Sequence, residues 1–399
     1  MANRETGTAR LSWRQLLAKC GPIFLDRDSH LRTRVERVAR LSAAVRDYVL
    51  RSISRETGGI DREAALQFLA RLPDVLGRCD EDIYNLPFAA EAYAFVHLVD
   101  RYRRFWDVLE ALLRTRNLPV RDISIDVLDV GTGPAPALYA VNDFFEELRA
   151  FAQEAGDCQR LCTPAPRLRS VEDSTAMVRL VHNLSEFTRR PGPFQPDMSR
   201  FEGFNPPEAR AAQRLRLIDE LIDRWEYSEQ EARIQAHLDQ ADVQAAGRYH
   251  LCIFSNFLTS FDQVLDLASE LAQVFRALKP RGLVLVVGGT GGEYPDIYES
   301  LDDIAKKSNV QLVSEVPSIF PCDYHNAEAM EIKQLYRSVF GALSGIPLDT
   351  VERELPPDLW SPDTPLKGPT AFGVRVYRAP NRPPGARFTK RIQSGGSIP

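Results

Sequence analysis

The chain has 399 residues, 44% hydrophobic and 26% charged, enough for one large domain and a smaller one with separate cores. Its formal charge of −5 gives no global attraction for nucleic acid, and its longest clear apolar run, Leu283 to Val287, is far shorter than the roughly 20 residues of a membrane helix. No secretory apolar segment follows Met1, so a cytoplasmic protein with reduced thiols and no membrane association is expected. Cys158 and Cys162, the one close cysteine pair, lack the neighbouring His or Cys that a metal site needs, and no metal is expected.

In chain order, apolar residues recur with helical period at Leu31, Val35, Val38, Leu41, Val45 and Val49. The same period returns over 62–76 and most regularly over 88–114, where Phe95, Leu98, Val99, Tyr102, Trp106, Leu109 and Leu113 share a face. Residues 1–115 therefore read as an all-helical domain, with His97 a core or boundary residue. Next, Val127, Leu128 and Val130 form a short buried strand, and Gly131-Thr132-Gly133 a tight turn after it. Pro134 and Pro136 suit the first turn of the helix that follows, because proline's missing N–H would have no intrahelical partner there. Strand, glycine turn and helix make half a nucleotide site, with Asp129 at the strand end able to face a cation.

A second short strand ends in Glu172, with Asp173 or Ser174 placed to cap the helix through Met177, Val178 and Val181. A carboxylate there can accept from ribose hydroxyls or serve only as a cap. Residues 188–210 read as loop and 205–240 as a helical insertion that could cover a substrate. Tyr249 to Ser255 is an apolar strand ending in small polar residues, 264–278 a helix, and Lys279-Pro-Arg-Gly282 a break before strand Leu283 to Val287. After it come helices over 295–308 and 327–343 and strand-like 311–314 and 371–377. The segment 379–399 reads as a disordered tail. Both chain ends are basic: twelve Lys/Arg against six Asp/Glu in residues 1–60, and six basic residues with no acidic one from Arg375 onward.

The pattern Asp129-x-Gly131-x-Gly133-x-Ala135, the acid-ended second strand, Ser255-Asn256 and Leu278-Lys-Pro-x-Gly282 together resemble the class I methyltransferases that use S-adenosylmethionine (SAM). Within that superfamily, Val127 to Tyr139 and Leu283 to Thr290 resemble the small-ribosomal-subunit-associated methyltransferase-like family, whose cysteine cluster is absent from this chain. The resemblance implies an α/β fold: a Rossmann-like, doubly wound, mostly parallel sheet with an antiparallel last strand, spanning 116–378 behind the helical domain. It implies that Asp129, Gly131, Thr132 and Gly133 meet the methionyl part of SAM. Glu172 would hold its ribose, Asp173, Met177 and Asp242 (or Gln244) its adenine, and Ser255, Asn256 and Phe257 would line the methyl-transfer mouth. Tyr294, Tyr324 and His325 are the polar groups best placed by chain order to meet an acceptor, and each also reads as structural.

Three alternatives stay open: an NAD-dependent oxidoreductase, which Pro136 opposes by replacing the last glycine of the dinucleotide fingerprint; a catalytically silent SAM-binding scaffold; and, among active enzymes, a ribosomal or other RNA acceptor against a small molecule or a protein. The acceptor and the oligomeric state are not legible.

Overall fold

The computed structural model describes residues 24–77, 82–119, 125–154, 166–172, 174–187, 249–322, 325–346, 355–361, 364, 366 and 371–381. The expected insertion at 205–240, the Cys158–Cys162 pair and the tail beyond residue 381 lie outside these residues.

The helical periods become α1 (Asp28–Ser52), α2 (Arg62–Gly77), α3 (Ala89–Tyr93) and α4 (Val99–Arg114). Residues Ala94–Leu98, between α3 and α4, form a π-helical turn that periodicity alone did not reveal. Four parallel strands follow: β1 (Asp126–Val130), β2 (Arg167–Val171), β3 (Tyr249–Ser255) and β4 (Leu278–Gly288). Helix α5 (Pro136–Glu154) crosses from β1 to β2, and α6 (Thr175–Phe187) leaves β2. The helix expected over 264–278 is two shorter ones, α7 (Phe261–Asp266) and α8 (Ala268–Arg276), separated at Leu267. The Lys-Pro-x-Gly stretch is not a break outside the sheet. Strand β4 already starts at Leu278, with a register irregularity against β3 and Arg281 at φ 63°. Helix α9 (Tyr294–Lys307), short strands β5 (Gln311–Leu312) and β6 (Ile319–Pro321), helices α10 (Asn326–Ala342) and α11 (Pro357–Trp360), and β7 (Ala371–Arg378) complete the described chain.

The sheet order is β2-β1-β3-β4-β7-β5, with β6 also on β7. The first four strands are parallel and β7 is antiparallel to β4, so the fold is Rossmann-like α/β with a reversed last strand. Strand side chains alternate between two covered faces, which is why β3 and most of β4 read as unbroken apolar runs. Val127, Leu251, Ile253, Leu283, Leu285 and Val374 join one core with α1 to α6 and α10; Leu128, Val130, Cys252, Phe254, Val284 and Val286 join another with α7 to α9. The first core runs without a gap from the amino-terminal helices onto the sheet.

Ion pairs are buried where the amino-terminal helices meet α5 and α10. Arg34 reaches Glu328 (2.6 Å), Glu110 (2.8 Å) and Asp107 (2.8 Å). Both ring nitrogens of the buried His30 bond carboxylates, Nδ1 to Glu147 (2.9 Å) and Nε2 to Glu110 (3.1 Å), an arrangement only the protonated ring can donate to twice. Burial alone would lower the His30 pKa, but the two carboxylates outweigh it and hold the group at about 9.

Because that folded-state value lies above the ordinary 6.5, the His30 contribution to stability is fully present below pH 6.5 and is lost as pH rises through about 9. Urea unfolding should therefore show stability falling by on the order of 3 kcal/mol across that window, an effect absent from His30→Gln. A wild-type profile no steeper than the variant's would remove His30 as the source.

Candidate functional site

The carboxyl ends of β1, β2, β3 and β4 meet at one edge of the sheet, where the order reverses between β1 and β3, the place at which open α/β sheets bind ligands. Asp129 stands there, fully buried. Its Oδ2 accepts from the Thr132 hydroxyl (2.5 Å), while Oδ1, equally buried, has no hydrogen-bond partner among the described residues. Burial pushes its pKa up to about 7, against the lowering effect of the Thr132 hydroxyl and with the Glu172 charge adding to the rise. A carboxylate kept half-neutral by burial, with one oxygen unmatched, is suited to a cationic ligand group.

The glycine turn is held from β2. Val171 O accepts from Gly131 N (2.9 Å) and Thr132 N (3.2 Å), Glu172 Oε2 from Gly133 N (2.6 Å), and Thr132 O from Ala135 N (2.9 Å). Pro134 and Pro136 have no N–H. The amides of 131–135 are thus all engaged within the protein, and the turn is not a nest for phosphate. Gly131 (φ 64°), Gly133 (φ 52°) and Ala135 (φ 63°) occupy the left-handed region. A Cβ on Gly131 would overlap the ring of Phe257, whereas at Gly133 the only atom among the described residues within 4 Å of a Cβ would be Tyr93 Cε1 at 3.9 Å. Close approach is therefore already used at Gly131 by protein, and among the described residues the open space lies at Gly133.

Glu172 has two structural duties. Its second oxygen, Oε1, accepts from Ser174 N (3.1 Å), and the Ser174 hydroxyl accepts from Met177 N (3.3 Å), so Ser174 caps α6. The cap and the glycine turn share one carboxylate. At the end of β3, the buried Ser255 accepts from the Asn256 amide (3.4 Å), Asn256 sits at φ 52° with its N–H on Val287 O (2.7 Å), and Phe257 stacks on Phe254.

Several expected site residues are not gathered here. Met177 is buried in the first core rather than at the surface where an adenine would lie. The half-buried Tyr294 ring lies against Gly288 and Gly289 at the carboxyl end of β4 and beside Tyr298. His325 is exposed in the residue before α10 and makes no cap bond. Asp173, Asp242, Gln244 and Tyr324 lie outside the described residues. His97, expected to be a core or boundary residue, is half-buried at the boundary of the core: Nε2 donates to Val75 O (3.0 Å), and burial lowers its pKa. The sequence reading missed Tyr93, which sits in a helix whose face looked merely apolar; its approach to Gly133 comes from tertiary packing alone.

No protein-family model matches the chain, and no curated protein matches it. Among solved structures, it is similar to a SAM-dependent methyltransferase from Methanosarcina mazei, at 9% identity and TM-score 0.30 over 65% of this chain and 94% of that one. It is also similar to a TehB-like SAM-dependent methyltransferase from Corynebacterium glutamicum, at 10% identity and TM-score 0.28 over 79% and 97% of the two chains. The CurJ carbon methyltransferase matches at 13% identity and TM-score 0.33 over 80% and 68%. At such values the functional reading rests on the site itself.

Replacing Glu172 by Gln puts an amide NH2 against one of two backbone N–H groups and leaves that donor unpaired. Stability without any ligand should fall by about 1–3 kcal/mol in urea unfolding. An unchanged midpoint would mean that these two backbone bonds do not hold the turn.

Proposed function

We propose that the chain is a SAM-dependent methyltransferase acting on an acceptor that is a small molecule, a protein side chain or RNA. The observation that carries this reading is the buried Asp129 Oδ1, unmatched among the described residues, near the end of β1 and two residues before Gly131. An α-ammonium placed against it would complete its hydrogen bonding and neutralise its charge in a dry setting. Engagement of the 131–135 amides counts against a dinucleotide, whose pyrophosphate needs free backbone donors at this turn.

SAM would supply a sulfonium-bound methyl group that is already reactive, so the protein's part is to align and to exclude water. Glu172, which already accepts from Gly133 N and Ser174 N, would hold the ribose hydroxyls. Ser255, Asn256 and Phe257, on the neighbouring strand end, would line the mouth through which an acceptor arrives. Asp173 and Asp242 remain proposed adenine contacts, and Met177 is withdrawn from that role because it is part of the core. Tyr324 and His325 follow β6, which runs parallel to β4 and ends at the same edge, and so are kept as proposed acceptor-side groups.

An ammonium binds the ionised form of Asp129. With a pKa of about 7, the ionised fraction rises roughly 8-fold between pH 6 and pH 7.5, while a ligand α-amino group stays mostly protonated up to about pH 7.7. Calorimetric titration with SAM should show affinity increasing by that factor, and Asp129→Asn should bind weakly with a flat profile. Absence of SAM binding by the wild type would overturn the methyltransferase reading. Binding that is independent of pH would overturn the role of Asp129.

A further inference from the structure

The ligand end that meets Asp129 through an ammonium also carries a carboxylate, and the glycine turn has no amide to offer it. Gly131 N and Thr132 N are bonded to Val171 O, Gly133 N to Glu172 and Ala135 N to Thr132 O. A side-chain cation or donor must therefore come from outside the turn, because a carboxylate leaving water needs charge-assisted partners.

The amino-terminal helices bring a guanidinium onto the aromatic ring that borders Gly133. Tyr93 Cε1 is the atom nearest to that position, and the Arg101 guanidinium lies over the Tyr93 ring, 4.8 Å from its centroid. The ring is fixed on other sides by Tyr84 (5.3 Å between centroids, edge-on) and His97 (4.9 Å, edge-on). Two costly backbone features flank it. Phe88 begins α3 at φ 63°, in the left-handed region that bulky residues avoid, and the π-helical turn Ala94–Leu98 directly follows Tyr93. Conformations of this kind persist where the surrounding structure holds them in place, often at binding sites.

On the basis of the proposed SAM reading, we infer that Arg101, stacked on Tyr93, is the partner of the carboxylate of the ligand's amino-acid moiety. The helical segment would thereby complete the cofactor site, with Asp129 and Arg101 reading the two charges of one zwitterion. Arg suits this role because its planar fork can bond both carboxylate oxygens while its face stays on the ring.

The test compares SAM with decarboxylated SAM, which lacks only the carboxylate, on the full chain and on Arg101→Gln and Arg101→Lys. The wild type should prefer SAM by about 10- to 100-fold, the range expected for a charge-assisted bond. In Arg101→Gln that preference should collapse through loss of SAM affinity alone, with decarboxylated SAM binding as in the wild type, and Arg101→Lys should keep part of it. Equal weakening of both ligands in Arg101→Gln, or an unchanged preference, would overturn the inference while leaving the methyltransferase reading standing. Failure of the wild type to bind either ligand would overturn both.

Discussion

The site depends on one satisfied set of hydrogen bonds: the end of β2 takes up the amides of the glycine turn. A tight turn with three residues at positive φ exposes backbone N–H groups, and burying them unpaired would cost about 1–3 kcal/mol each. Val171 O and the Glu172 carboxylate remove that cost and lock β1's turn to the cap of α6. The same bonds decide what the turn can recognise. With its donors spent it suits no phosphate, and recognition passes to side chains around it, above all to Asp129.

A second constraint is the buried charge at the helical interface. Glu328 is fully buried and Arg34 nearly so, and two such charges lose several kcal/mol of hydration each, which their pairing only roughly offsets. The arrangement therefore contributes more to placement than to net stability. Arg34 on α1 must meet Glu328 on α10 and Asp107 and Glu110 on α4, which fixes how the helical segment is set against the helices of the sheet. That placement carries α3, and with it Tyr93, to Gly133.

Much of this was legible in the sequence for a local reason. The strands at 249–255 and 283–287 are buried on both faces and so are written as largely apolar runs; helices α1 and α4 bury one face and so carry a 3.6-residue period. Asp129, Gly131, Gly133 and Glu172 could be found because strand ends and tight turns impose local requirements on residue type. The Lys-Pro-x-Gly stretch misled at its boundary, because Pro and Gly usually interrupt regular structure whereas here an irregular register accommodates them inside β4.

Tertiary structure alone decided the rest. No spacing rule links Gly131 to Phe257 or Gly133 to Tyr93, since those contacts join distant segments. Met177 and Tyr294 carry the right chemistry at plausible points of the chain, yet packing turned one into the first core and the other onto Gly288 and Gly289. By itself the sequence determined an α/β sheet with a glycine turn after its first strand and an acid at the end of its second, because those follow from local backbone and burial requirements. Which oxygens and amides stay unpaired there depends on distances between strands and helices far apart in the chain, and only the folded structure sets them.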